Sequence, residues 1–447
     1  MADVTLDIRA GEMLGITGRT GAGKSTLALA AAGFIPRVVH ASVSGRVLVD
    51  GADALAGGAA GLIGRVGIVF ASPHDQLSGS KLTVREELAF GLENLGIPRT
   101  EMDPRIDAVI ATLGIGHLGL RAPSTLSGGE QQRVAIASIV AMGPGVLVVD
   151  EPTAELDPAG TTAVATMLVA LTAGGTAILC CEHDRAILDR CDRVAILEAG
   201  GIVAASTPTP MPEPLAWAIG PGRAGPAVTF EGVSFRYPGG IEALRGVSLD
   251  VGPGESVAIV GANGSGKTTL AKHLIGLLRP TAGRVLLDGT PIDGVPVQAL
   301  AHTVGFAFQD PSDQLFERSV EREVGFGPRQ LGRPAAETSD LVDAALAMTG
   351  LSEERATNPY DLDRSIRKLV TLAGVLAMDP ALLVLDEPTT GQDPRGVERV
   401  GRIVEAMQAA GRTVIAITHD AAFAERWFDR TVVMDSGQVV DHRSRGA

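Results

Sequence analysis

The chain has 447 residues, which is too long for one ordinary domain and favours two or three. Hydrophobic residues make up 45% of the chain and charged residues 20%, a balance that argues against extensive disorder or a fibrous repeat. With 38 basic and 52 acidic residues the net charge is −14, which argues against binding of nucleic acid through general attraction to phosphates.

The beginning of the chain and its cysteine content indicate the compartment. The first 15 residues include Asp3, Asp7, Arg9 and Glu12 in place of an apolar run, so we expect no signal peptide. The chain has three cysteines, and a small odd number suits a reducing compartment better than a disulfide framework. We therefore expect a cytoplasmic protein.

An internal repeat organises the whole sequence. GRTGAGKST begins at residue 18 and recurs as GANGSGKTT at residue 261, and VLVVDEPTAELDP begins at residue 146 and recurs as LLVLDEPTTGQDP at residue 382. Because the matches keep their order, we predict two tandem copies of one domain. The predicted segments are a first domain at 1–204, a Pro-rich linker at 205–226 and a second domain at 227–447.

Short apolar runs bounded by turn residues predict buried parallel strands, with helices between them. In the first copy, Asp103-Pro104 predicts the N-cap and first residue of a helix that continues over 105–113. The predicted fold class is therefore α/β in each copy. The apolar runs are Val146 to Val149, Ala177 to Cys181, Leu382 to Leu385 and Val414 to Ile417.

One stretch of the first copy, Pro158 to Cys181, carries no charge and is long enough to cross a bilayer as a single helix. Gly174-Gly175 interrupts it, and the matching stretch of the second copy, Arg395 to Ile417, contains six charged residues. We therefore predict a helix, a Gly-Gly turn and a buried strand at Thr176 to Cys181.

Each copy contains a glycine-rich loop of the form Gly-x4-Gly-Lys-Ser/Thr after an apolar strand. The glycines let successive N–H groups and a helix N-terminus face a phosphate, the lysine neutralises the terminal phosphates, and the hydroxyl binds Mg²⁺. These loops predict two nucleotide sites. The candidate residues are Gly18, Gly21, Gly23, Lys24, Ser25 and Thr26 in the first copy and Gly261, Asn263, Gly264, Gly266, Lys267, Thr268 and Thr269 in the second.

An acidic pair follows a second apolar strand in each copy. Asp150 and Asp386 close these strands and should hold the Mg²⁺ shell together with the loop hydroxyls. Glu151 and Glu387, one residue further on, are placed to polarise an attacking water molecule. The double occurrence of the sequence DEPT favours a catalytic role over a merely solvated surface.

The segment LSGGEQQR at 126–133 is similar to the signature motif of ATP-binding-cassette (ABC) ATPases. The resemblance covers nearly the whole chain outside the linker. It implies two tandem P-loop NTPase domains, each with a mainly parallel core sheet, helices and a helical signature subdomain, packed head-to-tail around two ATP molecules. Each ATP then lies between the phosphate loop of one domain and the signature of the other, here Ser127, Gly128 and Gly129.

The same resemblance implies roles for further residues and implies ATP and Mg²⁺ as cofactors. His183 and His419 match the switch histidine of the family, and Tyr237 matches the aromatic residue that stacks on adenine. Gln309 matches a glutamine that contacts the Mg²⁺ shell. The matching D-loop aspartates are Asp157 and Asp393.

The two copies depart from the family pattern at different positions. In the first copy, Ala71 replaces the glutamine, and no residue corresponds to Tyr237, a gap that a misplaced start at Met1 would explain. In the second copy, Asp363 and Arg364 replace the serine and first glycine of the signature.

In a head-to-tail pair, all of these departures fall in the site built on Lys24. The site built on Lys267 and Ser127 retains all the motif residues named above. Random loss of motif residues would affect both sites. Because the losses all fall in one site, we predict one active and one mainly structural ATP site.

The spacing of Cys180, Cys181, His183 and Cys191 also raises the alternative of a zinc site. Of these four residues, only the histidine recurs in the second copy, as His419. We therefore favour a buried strand with small apolar cysteines.

Two segments that follow the glutamine positions indicate partners. SPHDQL at 72–77 and DPSDQLF at 310–316, followed by LAFGLENLG and VGFGPRQLG, resemble the ATPases of energy-coupling-factor importers, and AGFIPRVVHASVSG resembles their cobalt and thiamine-precursor branch. This resemblance implies two partners, a transmembrane coupling protein and a small substrate-binding membrane protein. It also implies a peripheral position at the cytoplasmic face of the cell membrane and no nucleic-acid partner.

Two other functions remain open at this point. A soluble two-cassette translation factor would act on ribosomes, but such factors resemble tandem domains with a long charged helical linker and two intact signatures. A fused sugar-type importer ATPase would keep the transport function and change the substrate.

Overall fold

The computed structural model describes residues 1–49, 51–53, 62, 64–73, 76–154, 156–198, 200–203 and 224–444. The chain divides into two compact units, Met1–Thr209 and Pro210–Ala447. The predicted linker at 205–226 lies outside the described residues as far as residue 223. The domain boundaries given above therefore stay predictions.

The first unit alternates strands with helices over most of its length. Its strands are β1 (Met13–Gly18), β2 (Leu48–Val49), β3 (Ala52–Asp53), β4 (Val66–Val69), β5 (Val146–Asp150), β6 (Ala177–Cys181), β7 (Arg193–Glu198) and β8 (Gly201–Val203). Its helices are α1 (Lys24–Ala31), α2 (Val84–Asn94), α3 (Arg99–Thr112), α4 (Gly128–Ala141), α5 (Pro158–Ala173) and α6 (Arg185–Leu188).

The main sheet of the first unit has the order β4-β5-β6-β1-β7-β8. All neighbours are parallel except β7 and β8. Strand β6 is buried along its whole length because both faces of the sheet are covered. Successive side chains of a strand point to opposite faces, so Cys180 belongs to the hydrophobic cluster that includes Val134 and Val164, and Cys181 to the cluster that includes Ala28.

The second unit repeats this arrangement with additional strands. Its strands are β9 (Val228–Arg236), β10 (Glu242–Val251), β11 (Ser256–Val260), β12 (Ala282–Leu287), β13 (Thr290–Pro291), β14 (Val304–Ala307), β15 (Leu382–Asp386), β16 (Thr413–Thr418), β17 (Arg430–Asp435) and β18 (Gln438–Ser444). Its helices are α7 (Lys267–Leu274), α8 (Val297–Leu300), α9 (Val320–Val324), α10 (Phe326–Gln330), α11 (Ala335–Thr349), α12 (Arg364–Ala377), α13 (Pro394–Ala409) and α14 (Ala421–Trp427).

The main sheet of the second unit has the order β14-β15-β16-β11-β17-β18, which matches the first unit strand for strand. Only β17 and β18 are antiparallel. The second unit also has a separate antiparallel sheet with the order β10-β9-β12-β13. Besides its main sheet, the described part of the first unit has only the two-stranded sheet β2-β3. The predicted α/β fold and all four predicted buried strands are confirmed.

Each unit also has a helical part that carries the signature region. In the first unit α2 and α3 pack against α4, and in the second α9 and α11 pack against α12. Helix α4 begins directly after Ser127, and α12 begins directly after Asp363. Both helices run back to the main sheet, where α4 contacts β4 and α12 contacts β14.

The predicted start of the helix at Asp103-Pro104 is wrong. Helix α3 begins at Arg99, with Pro98 as its N-cap, and Pro104 lies inside it. The first turn is fixed because the N–H groups of Glu101 and Met102 donate to the Pro98 carbonyl, 2.8 and 3.1 Å away, and Met102 packs against the core. Pro104 lies beyond this first turn, where it lacks one internal hydrogen bond, and the helix continues through it to Thr112.

The uncharged stretch of the first copy is a helix, a turn and a strand, as predicted. Helix α5 ends at Ala173, Gly175 has a φ of 95°, and β6 follows at Ala177. Across the described residues, no helix has both the length and the apolar character needed to span a membrane.

Candidate functional site

The phosphate loops lie between a central strand and the first long helix of each unit. Gly18 and Gly261 have φ angles of 155° and 156°, and a Cβ atom there would collide with the carbonyl oxygens of Leu197 and Met434. Only glycine fits these two positions. Gly18 ends β1, Gly21 and Gly23 form the loop, and Lys24, Ser25 and Thr26 open α1; Gly261, Asn263, Gly264 and Gly266 form the second loop, and Lys267, Thr268 and Thr269 open α7.

The two loop lysines fold back over the loops that carry them. Lys267 Nζ donates to the carbonyl oxygens of Gly261 at 2.7 Å and Ala262 at 3.0 Å, and Lys24 Nζ donates to Gly18 at 3.2 Å and Arg19 at 3.3 Å. Both lysine side chains are only 5% exposed. A buried cation beside a helix N-terminus suits a phosphate group.

The predicted Mg²⁺ ligands of the second unit are in direct contact. Thr268 Oγ1 donates to Asp386 Oδ1 over 3.0 Å. Burial raises the pKa of the Asp386 carboxyl to about 6, and the Thr268 hydrogen bond opposes that rise. A buried carboxylate next to a hydroxyl offers the oxygen ligands that Mg²⁺ prefers, so these residues fit the ion. Ser25 and Asp150 occupy the corresponding places at the start of α1 and the end of β5.

Both glutamates that follow the strands have a left-handed backbone. Glu151 has a φ of 48° and Glu387 a φ of 49°. This conformation costs a non-glycine residue about 1–3 kcal/mol, and residues that adopt it are found mainly at functional sites. In each case the amide donates to the neighbouring strand, Glu151 to Cys181 at 2.9 Å and Glu387 to Ile417 at 2.8 Å. The sequence does not show this strain, although it does place both residues.

The predicted switch histidines each face the glutamate of their own unit. His419 Nδ1 lies 2.9 Å from Glu387 Oε2, and His183 Nε2 lies 3.4 Å from Glu151 Oε1. Burial works against a charged His419, but the hydrogen bond and charge of Glu387 raise its pKa. In the first unit Lys24 Nζ also lies 3.7 Å from Glu151 Oε1.

The same contacts shift the pKa of the first-unit glutamate. Burial acts to raise the pKa of Glu151, but the hydrogen bond and charge of His183 and the charge of Lys24 lower it overall. The carboxylate of Glu151 is thus held between two basic groups of its own unit.

Glu182 is a further acidic residue of the first site that sequence reasoning missed. It is 4% exposed and accepts hydrogen bonds from Thr153 Oγ1 and the His183 amide, both at 2.7 Å. Burial raises its pKa. The second unit has Thr418 at this position, and the difference between EHD and THD in the two copies was the available signal.

The residues after strands β4 and β14 are braced by a glutamine in both units. Gln314 accepts from the Phe308 amide at 3.1 Å and donates to the Phe306 carbonyl at 3.1 Å. Gln76 makes the same pair of bonds to Phe70 and Ile68, at 3.2 and 3.1 Å. Gln309 is exposed beside this loop and Ala71 takes its place in the first unit, so the role of Gln309 stays a prediction.

The two signature regions begin their helices differently. Ser127 forms a reciprocal capping box with Glu130, in which the Ser127 amide donates to Glu130 Oε2 at 2.8 Å and the Glu130 amide donates to Ser127 Oγ at 3.4 Å. Asp363 makes no side-chain cap bond, and Arg364 Nη2 lies 3.4 Å from Asp310 Oδ2.

The glycines of the intact signature open helix α4. A Cβ atom at Gly128 would have no described heavy atom within 4 Å, and one at Gly129 would make an ordinary contact with Leu156 at 3.6 Å. Packing within the first unit therefore does not explain Gly128. An uncovered helix N-terminus without side chains leaves amide groups open to an anion.

Tyr237 lies beside the start of helix α7. Its hydroxyl is hydrogen-bonded to Thr269 Oγ1 at 3.1 Å, its ring packs edge-on against Phe235, and 37% of the residue is exposed. An exposed aromatic face next to a phosphate loop is compatible with stacking on a base, and this role stays a prediction.

Three neighbouring parallel strands bring the second-unit residues together. Lys267 and Thr268 follow β11, Asp386 ends β15 with Glu387 directly after it, and His419 follows β16. The carboxyl ends of parallel strands form the usual ligand crevice of α/β sheets. The Thr268–Asp386 and His419–Glu387 contacts, beside the Lys267 loop, form a polar centre suited to a nucleotide and its metal ion.

The chain is similar to several known proteins. A family model described as ABC transporter matches residues 1–154 and 244–390. A provisionally named ABC transporter ATP-binding protein of Methanosarcina acetivorans is 36% identical over 505 residues, which cover 98% of this chain and 82% of that protein. A protein of the same name from Methanosarcina mazei is 35% identical and covers 100% of this chain and 92% of its own.

One of the similar solved structures is cbiO1 from Clostridium perfringens, described as part of the ABC transporter complex cbiONQ. It is 37% identical and covers 49% of this chain and 88% of that chain, with a TM-score of 0.45.

Proposed function

Because the chain belongs to the ABC transporter family and is an ATP-binding, ATP-hydrolysing subunit with two ABC domains, we propose that it energises the uptake of a small molecule. The proposed substrate class is a vitamin, a vitamin precursor or a transition-metal ion, which crosses the membrane through partner proteins. The observation that carries the ATP chemistry is the pair of contacts at the end of β15 in the second unit, Thr268 with Asp386 and His419 with Glu387.

In the proposed reaction, the second unit holds ATP at the N-terminus of α7. Lys267 and the loop amides bind the phosphates. Thr268 and Asp386, together with Gln309, would hold Mg²⁺, and the ion would supply neutralisation of the phosphate charge when bound. Glu387 orients the attacking water and accepts its proton, and His419 fixes the Glu387 carboxylate through the 2.9 Å contact.

The two domains are further proposed to act as a head-to-tail pair. Ser127, Gly128 and Gly129 would then complete the ATP site of Lys267, which is supported by the capping box at Ser127 and the uncovered position of Gly128. The ATP site of Lys24 would receive Asp363 and Arg364, which bring a negative charge and a bulky side chain. The Lys24 site is therefore proposed to be mainly structural.

The proposed membrane partners are a transmembrane coupling protein and a small substrate-binding protein, with this chain at the cytoplasmic face. The loops braced by Gln76 and Gln314 support this proposal, since exposed apolar side chains follow both. Leu82 is 78% exposed and Phe316 is 58% exposed. Exposed apolar groups beside a rigid loop suit the insertion of a partner helix.

The test is co-expression of the chain with the genes that neighbour it. We expect a membrane-bound complex that can be purified in detergent, that stimulates ATP hydrolysis and that carries a vitamin-like molecule or a metal ion. A bound sugar would favour the sugar-importer alternative. Tight binding to ribosomes in a sucrose gradient, with no membrane-bound fraction, would contradict the proposal.

A further inference from the structure

Lys368 connects helix α12 of the second unit to the proposed catalytic glutamate. In the aligned signature segments it takes the position of Gln132. Its side chain is buried, and Nζ donates to two main-chain oxygens, those of Glu387 at 3.0 Å and Thr390 at 3.0 Å.

The two oxygens that accept from Lys368 lie at the two ends of one tight turn. This turn follows strand β15, and its amide at Thr390 donates to the Glu387 carbonyl at 3.3 Å. Glu387 begins the turn in the left-handed conformation described above. An ammonium group that bonds both ends of the turn fixes the peptide from which the Glu387 carboxylate projects.

The first unit has the same turn without this connection. There the Ala154 amide donates to the Glu151 carbonyl at 3.2 Å, but Gln132 Nε2 donates to the Phe70 carbonyl at 3.1 Å, at the end of β4. The same position of the same helix is therefore tied to a different segment in each unit.

We propose that Lys368 is a positioning residue that holds Glu387 in the geometry for orienting water. Helix α12 has lost the serine and glycine of the signature, and through Lys368 it serves the ATP site of its own unit. The assignment rests on the proposed role of Glu387 as the residue that orients the water molecule.

The first test is steady-state ATP hydrolysis by the full-length Lys368→Met protein. Methionine keeps the length of the side chain and removes all N–H donors. We expect kcat to fall roughly tenfold and KM for ATP to change by less than about twofold, because only the transition state needs an oriented carboxylate. The matched control is Arg367→Met, which removes the neighbouring cation, whose guanidinium donates to the oxygens of Leu362 and Tyr360; its kcat should stay within about twofold.

A second test separates positioning from simple support of the fold. In the Glu387→Gln background, Lys368→Met should cause no further loss of hydrolysis, because both changes remove the same function. Methylammonium added to Lys368→Ala should restore part of kcat. If the methionine variant fails to fold, Lys368→Gln, with the side chain of the first unit, takes its place in each measurement.

Three results would overturn the assignment. They are an unchanged kcat in Lys368→Met, equal changes in kcat and KM, or a loss that adds fully to that of Glu387→Gln. A Glu387→Gln protein with normal hydrolysis would instead overturn the proposed role of Glu387, and the Lys368 assignment with it. If Glu387→Gln abolishes ATP hydrolysis and Lys368→Met leaves kcat unchanged, only the Lys368 assignment is overturned.

Discussion

The imidazole of His419 contacts the carboxylate of Glu387 at 2.9 Å, whereas the corresponding pair in the first unit, His183 and Glu151, is 3.4 Å apart. In the first unit the carboxylate also faces the loop lysine, Lys24, at 3.7 Å. A carboxylate engaged with the phosphate-binding lysine is less available to water. The two nucleotide sites therefore differ in the immediate surroundings of the glutamate, in addition to the sequence differences in their signatures.

Glu387→Gln should lower steady-state ATP hydrolysis by about 10² to 10⁴-fold, the usual effect of losing a general base. Glutamine retains the shape of the side chain, so ATP binding should persist. Glu151→Gln is the matched control in the other unit and should cost far less, since Glu151 already pairs with Lys24. Equal losses in the two variants, measured in the assembled transporter, would contradict the division into one active and one structural site.

Changes in the signatures should show the reverse order of importance between the units. Ser127→Arg should be severe for hydrolysis, and so should Ser127→Asp, which retains an N-cap acceptor for α4 and introduces the residue found at position 363. Arg364→Gly should be mild. The measurement is ATP turnover together with the melting temperature, because loss of turnover at an unchanged melting temperature separates a damaged site from a damaged helix.

His419 should stabilise the second unit most at low pH. Its pKa is raised in the folded protein, so its stabilising contribution is complete below the unfolded-state pKa of about 6.5 and is lost as the pH rises through the folded-state pKa. Urea unfolding of wild type and His419→Gln, without nucleotide or Mg²⁺, should therefore differ more at acidic than at alkaline pH. Glu387→Gln should remove the same pH dependence, and a difference that grows with pH would disprove this explanation.

Arg412→Met should destabilise the second unit strongly. Arg412 is completely buried, and its guanidinium donates to the Pro380 carbonyl at 2.6 Å and forms an ion pair with Asp379 at 2.6 Å. Removal of one partner of a buried ion pair costs about 3–5 kcal/mol.

Arg426→Met is the matched control for Arg412→Met. Arg426 pairs with Glu398 at 2.7 Å, but its side chain is 61% exposed, so the loss should be below about 1 kcal/mol. Chemical denaturation measures both effects. Similar losses in the two variants would show that burial does not govern the strength of these pairs.

The repeat made much of the fold predictable. Strand β6 was identified from its apolar sequence and from comparison with the charged helix of the second copy, because buried parallel strands have a strong compositional signal. The start of α3 was predicted wrongly, because Asp103-Pro104 has the residue types of a helix start, whereas the first turn is bonded to the Pro98 carbonyl and Pro104 lies inside the helix.

The sequence predicts which residues form the candidate site better than it predicts the contacts between them. The glycine and Asp-Glu motifs located Lys267, Asp386 and Glu387, because phosphate and metal binding require those residue types. The left-handed backbone of Glu387 and the contact from Lys368 depend on how the turn packs against helix α12, which precedes β15 in the chain. No local sequence pattern predicts that contact.

The positions of the three cysteines make the native protein suitable for site-specific labelling. Burial raises the pKa of Cys180 and Cys181 well above the usual range, and burial together with the Asp192 charge raises that of Cys191 to about 11. Since the thiolate is the species that attacks maleimides, all three should react slowly at neutral pH. A single cysteine introduced on the surface of each unit could therefore carry a fluorophore without removal of the native thiols, and energy transfer between the two dyes would follow domain motion during ATP turnover.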